Sequence, residues 1–153
     1  MKRKTLFFIF ISITVLWLAF IFANSFDDGV RSGEKSKLVT SAINSTLHSL
    51  GFEFSVPEGF VRTLAHFGEF AILSALLCID ITLYFNKNHY AFVFSVPTCF
   101  VFAAIDETIQ KFSAGRAMQF LDVLVDTAGA LCAAIAFFLI RYLIIRIKNK
   151  KKA

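Results

Sequence analysis

Three short polar runs interrupt an otherwise apolar chain, and their residue types are those that bind anions, move protons or hold cations. Arg62, His66 and Glu69 recur at spacings of four and three, which sets them on one helical face. Asp106, Glu107 and Gln110 form the second run, with Gly115-Arg116 shortly after it, and Asp122 and Asp126, four apart, form the third. A planar guanidinium grips carboxylate or phosphate bidentately, and a glycine before it allows a tight backbone. Arg62 and Arg116 therefore suit an anionic headgroup or a pyrophosphate, while the acids and His66 suit proton transfer or metal ligation. The candidate ligand-binding set is Arg62, His66, Glu69, Asp106, Glu107, Gln110, Arg116, Asp122 and Asp126; the catalytic candidates within it are His66, Glu69 and Glu107. Binding outranks catalysis, because the chain has no Ser-His-Asp order, cysteine nucleophile, His-Glu-x-x-His or phosphate-cradling glycine loop.

Each assignment has a plainer counterpart. Glu69 pairing with Arg62 or Arg116 would be a structural network between helices, since buried charges need partners whatever else they do. No resident cofactor is expected. A divalent cation on Glu69, Glu107, Asp122 and Asp126 with His66 would fit an oxygen-rich site, although outward-facing acids are more often merely solvated. His48 and His89 are expected in interfacial or loop positions, and Cys78, Cys99 and Cys132 lie in apolar blocks at no metal-ligand spacing.

The elements that must carry these residues are membrane helices. Of 153 residues, 57% are hydrophobic, twenty are phenylalanine, and the mean hydropathy is +0.68, too apolar for an ordinary soluble domain. The apolar residues fall into four blocks, starting at Thr5, Leu64, His89 and Phe120, and a helix crosses a bilayer with about 20 such residues. The fold class is accordingly an all-α integral membrane protein in a single domain. Its spans are expected at about 5–23, 64–85, 89–105 and 120–143, with the third extensible through Asp106 to Gln110. Met1-Lys2-Arg3-Lys4 resembles a secretory signal, but the following apolar run is long and Ala23-Asn24-Ser25 is a poor cleavage site, so the first block reads as a retained anchor.

Cytoplasmic flanks carry the excess of Lys and Arg. With both termini inside, Lys2, Arg3, Lys4, Lys87, Arg141 and the basic tail 146–153 face only one acid there, Asp80; the other acids lie outside or at the outer ends of spans. A basic cluster next to a membrane helix is drawn to anionic lipid and needs no nucleic acid to explain it. In this topology the second and fourth spans start outside and the third ends there, so the three polar runs arrive together at the outer face. The connection 24–63 is expected to be an irregular loop from Asn24 to Lys37. An interfacial helix should follow it, with Leu38, Val39, Ala42, Ile43, Leu47 and Leu50 on one face. Ser55-Val56-Pro57-Glu58 has the form of a capping box. Ala128-Gly129-Ala130, with Ala133, Ala134 and Ala136, reads as a close helix-packing face.

Two stretches resemble the VanZ-like membrane proteins: Arg62-x-x-x-His66-Phe67-x-Glu69-Phe70-x-x-Leu73, and the run from Asp106-Glu107 through Gly115-Arg116, Asp122 and Asp126 to Gly129. The sequence departs from the usual pattern at Phe70, where Tyr is common, at Ala114, where Pro is, and at Asp126, where Asn is. The last adds a carboxylate, so either one acid is protonated or a cation is held nearby. The resemblance implies a bacterial plasma-membrane protein of the cell envelope, of a type named for reduced susceptibility to the lipoglycopeptide teicoplanin. The partners expected are membrane lipids, and with them a lipid-linked wall precursor or the lipoglycopeptide itself, with no nucleic acid. A membrane enzyme modifying such a lipid through the acid, His and Arg cluster is the competing expectation.

Overall fold

The computed structural model describes residues 2–150; Met1 and the tail residues Lys151, Lys152 and Ala153 lie outside the described residues. Five helices follow one another: α1 (Arg3–Ser25), α2 (Gly29–Ser49), α3 (Glu58–Phe85), α4 (Asn88–Phe112) and α5 (Phe120–Lys150), and no strand occurs among the described residues. All but α2 are long and apolar enough to cross a membrane. In lipid an exposed peptide group has no water to bond, so an apolar run of this length closes its hydrogen bonds within itself as a helix. Pro97 sits inside α4, where its missing N–H and its ring would break a soluble helix but are tolerated in a packed membrane helix. At roughly 1.5 Å per residue the 31 residues of α5 extend about 46 Å, well beyond a hydrocarbon core of about 30 Å. It therefore runs past the expected 120–143 segment and carries Arg141, Arg146, Lys148 and Lys150 at its C-terminal end, where cations complement the helix dipole.

α3 is central, packing against α1, α2, α4 and α5. Ile21, Phe70, Leu73, Cys99, Ala103, Val123 and Ala130 form one buried cluster, and Cys78, Ala91 and Ala134 a second. The tightest approach is between α3 and α5: a Cβ on Gly129 would stand 2.2 Å from the Phe67 carbonyl oxygen. Small residues let membrane helices come this close, and Ser74 Oγ uses the proximity to donate to the Ala130 carbonyl at 2.8 Å. The three cysteines are free thiols, Cys78 and Cys99 buried and Cys132 exposed. Asp80 is buried in α3, where Thr14 Oγ1 donates to it at 2.5 Å.

Two expectations fail in the connection 24–63. Residues 29–37 are helical, because Asp28 serves as N-cap, its carboxylate accepting from the Arg31 N–H at 2.8 Å, so α2 starts nine residues before Leu38. The capping box does not form: Pro57 is the N-cap of α3, with no side-chain cap, and Ser55 Oγ turns back to His48 Nε2 at 3.1 Å. Asn44 clasps Val56 through both backbone groups, at 2.8 and 3.1 Å, and so closes the α2–α3 turn. The apolar face of α2 stays uncovered by protein, with Leu38 73% exposed.

Candidate functional site

The C-terminal ends of α1 and α4, the N-terminal ends of α3 and α5, and the start of α2 meet at one end of the bundle, and the three polar runs meet there. The meeting is built on backbone. Gly29 N–H donates to the Ala114 carbonyl at 2.8 Å, and Ser113 Oγ to the Ser25 carbonyl at 2.8 Å, which locks the α1–α2 corner onto the 113–119 connection. Gly115 takes φ +74°, the left-handed region open to glycine, and its carbonyl would lie 2.6 Å from a Cβ on Gly29. This turn delivers Arg116 to the corner. The close contact of Gly129 with Phe67 does the same for His66 and Asp126, which flank those residues on α3 and α5.

Asp106 is 1% exposed and accepts from Ser25 Oγ on Oδ1 in a very short bond and from Gln110 Nε2 on Oδ2 at 2.7 Å. Gln110 in turn accepts from Arg116, whose guanidinium also reaches the Asn24 carbonyl at 3.4 Å. Glu107 is 0% exposed, and its Oε2 accepts from the Gln119 N–H at 2.8 Å. His66 Nδ1 lies 3.6 Å from Asp126 Oδ1. Among the described residues Glu69 pairs with no arginine: its side chain accepts from Asn24 Nδ2 at 3.5 Å, while its backbone carbonyl accepts from Trp17 Nε1 at 2.9 Å. Asp122 stands half-buried in the first turn of α5, outside this group.

A cavity of about 220 Å³ opens here between α2 and α3, lined by Asn24, Asp27, Lys35, Arg62, His66, Glu69, Gln110 and Arg116 among others. Asp27 and Lys35, 2.5 Å apart, stand at its rim, and Asp27 also pairs with Arg31 at 3.3 Å outside the cavity. The hydrogen bond from Lys35 holds the Asp27 carboxyl below its usual range, against the opposing effect of burial. The pKa of Arg116 is lowered, first by burial and then by the neighbouring positive charge of Arg62. Arg62 itself makes no ion pair among the described residues, so two guanidiniums share the cavity without a carboxylate clamped to either.

Of the residues expected at the site, Arg62, His66, Glu69, Gln110 and Arg116 line the cavity, Asp106 and Asp126 lie buried beside it, and Glu107 and Asp122 do not line it. The expected metal set also changes. Among the described residues the group with ligand atoms within 4.8 Å of one another is His66, Asp106 and Asp126, which leaves out Glu69, Glu107 and Asp122. Asn24, Ser25, Asp27 and Lys35 were not expected at all. Asn24 and Ser25 are polar residues closing an apolar block, a signal visible in the sequence.

Residues 10–141 match the VanZ/LLP1 family model. No curated protein and no solved structure matches the chain. The match covers most of the chain, including all three polar runs and the four membrane-capable helices that bear them, and the protein is therefore a multi-pass membrane protein belonging to the VanZ/LLP1 family.

Proposed function

We propose that the protein binds the anionic headgroup of a lipid or lipid-linked wall component in the α2–α3 cavity, on the extracytoplasmic side of a bacterial plasma membrane, and so lowers susceptibility to teicoplanin-type lipoglycopeptides. The observation that carries this reading is the pair Arg62 and Arg116: two guanidiniums facing one cavity, neither in an ion pair with a carboxylate among the described residues. A phosphate or pyrophosphate would supply the missing anion and take up the buried Arg116 Nε–H, which has no partner. The exposed apolar face of α2 supports the same ligand class, because a helix lying in the leaflet would hold the cavity mouth at headgroup depth, next to acyl chains. Lys35, half exposed on α2, stands at the rim with its charge paired to Asp27.

The test is teicoplanin and vancomycin susceptibility of a sensitive Gram-positive host expressing wild type, Arg116→Ala or Glu107→Gln at matched membrane levels. Wild type should protect against lipid-tailed teicoplanin more than against vancomycin, and Arg116→Ala should return the host to its unprotected level. An Arg116→Ala variant as protective as wild type would contradict the proposal. Glu107→Gln keeps the acceptor for the Gln119 N–H but loses the charge, and should retain protection if the site binds rather than catalyses. Lipid extracts from the same strains separate the enzyme reading, which requires a modified lipid or precursor.

A further inference from the structure

A polar group buried in a bundle has to be satisfied from within it, and at this end one carboxylate is hydrogen-bonded on neither oxygen. Asp126 is 0% exposed, and neither of its oxygens accepts a hydrogen bond. It faces His66, whose Nδ1 is also buried without a hydrogen-bond partner. Their 3.6 Å separation makes an ion pair when His66 is protonated but is too long for a hydrogen bond. It is close to the ~3.4 Å expected between two atoms bound at about 2.1 Å to one tetrahedral ion. Asp106 completes a group in which one ligand atom from each residue lies within 4.8 Å of the others.

We propose that His66, Asp106 and Asp126 together hold a single first-row divalent cation beside the cavity. Charge argues for a dication: of the two buried carboxylates only Asp126 has an imidazole at ion-pair distance, and the Arg116 charge is linked to Asp106 only through Gln110. The donor set argues for the class of ion. One imidazole with two carboxylates suits Zn2+ or Mn2+, whereas an all-oxygen set would suit Mg2+ or Ca2+. The surroundings of Asp106 are those of an oriented ligand. Ser25 and Gln110 fix one oxygen each, each oxygen keeps a second lone pair, and Gln110 is held by Arg116. Three protein ligands leave a coordination position open. His66 also lines the cavity, so an ion on it stands next to the space between Arg62 and Arg116 and would attract a phosphate oxygen there. That role rests on the anion-binding reading above; the presence of the ion does not.

The full chain, purified in detergent with no added lipid and stripped with chelator, would be loaded with Zn2+ or Mn2+, dialysed, and its metal content measured for wild type, Asp126→Asn, His66→Gln and the exposed control Glu53→Gln. Wild type and Glu53→Gln should retain one ion per chain, and the two site variants about ten-fold less or lower. Because a buried variant can misfold, wild type is also loaded with Co2+, whose visible absorption should show imidazole ligation and disappear on adding Zn2+. Wild type retaining neither Zn2+ nor Mn2+, or Asp126→Asn retaining as much as wild type, overturns the proposal. Either result leaves headgroup binding to be judged on its own assay.

Discussion

At the scale of single residues, the corner of α1 and α2 is held by charge. Asp27 is nearly buried and receives Lys35 and Arg31, both on α2, and this depresses its pKa. A group whose folded pKa lies below its unfolded value of about 3.9 contributes stability above that value and loses it as pH falls through the folded one. Attachment of the start of α2 should therefore be insensitive to pH from neutrality down to about 4 and weaken below it. Both cations are largely solvated, so the contribution is about 0.5–1 kcal/mol. Asp27→Asn should speed amide exchange over residues 31–36 by about two- to five-fold at neutral pH and abolish the acid dependence, with unchanged exchange in α3 as the control. The charged members of the site were legible because ionisable residues in apolar blocks stand out. Asn24 and Ser25 were not, since short polar residues at the end of an apolar run are ordinary, and only the fold shows Ser25 donating to Asp106 across 81 residues.

At the scale of elements, the site depends on how closely α3 and α5 approach. Gly129→Ala would drive a methyl against the Phe67 carbonyl, a backbone atom that cannot swing away, and should destabilise the protein by about 1–3 kcal/mol in thermal unfolding. Gly33→Ala on α2 meets nothing within 4 Å and should leave stability unchanged or slightly raised. Equal losses in both would mean that the close approach does not matter. The four long helices and the small-residue face of α5 were readable because membrane helices announce themselves by length and composition. The start of α2 was not, because residues 29–37 lack apolar periodicity and look like a loop; the informative signal was Asp28 as an N-cap. Ser55-Val56-Pro57-Glu58 misled for the opposite reason. The motif requires Ser at the N-cap, and here Pro57 takes that position, leaving Ser55 free for His48.

At the scale of the whole molecule, the antiparallel order of the spans collects residues from five helices at one end, a convergence foreseeable once the apolar blocks were counted. What no pattern could supply was the partner of each charge: a spacing of four puts residues on one face without saying what that face meets. The structure answers with a cavity whose two arginines form no ion pair with a carboxylate among the described residues, and the account stands on that cavity taking an anion. The most direct measurement is retention of a polyprenyl pyrophosphate and of phosphatidylglycerol by the purified chain, read by native mass spectrometry for wild type, Arg62→Ala, Arg116→Ala and Arg116→Lys. Hydrogen bonds to charged groups contribute about 1.5–3 kcal/mol, so each alanine variant should bind about ten-fold more weakly or worse, with Arg116→Lys between it and wild type. Equal retention by wild type and both alanine variants would contradict the account.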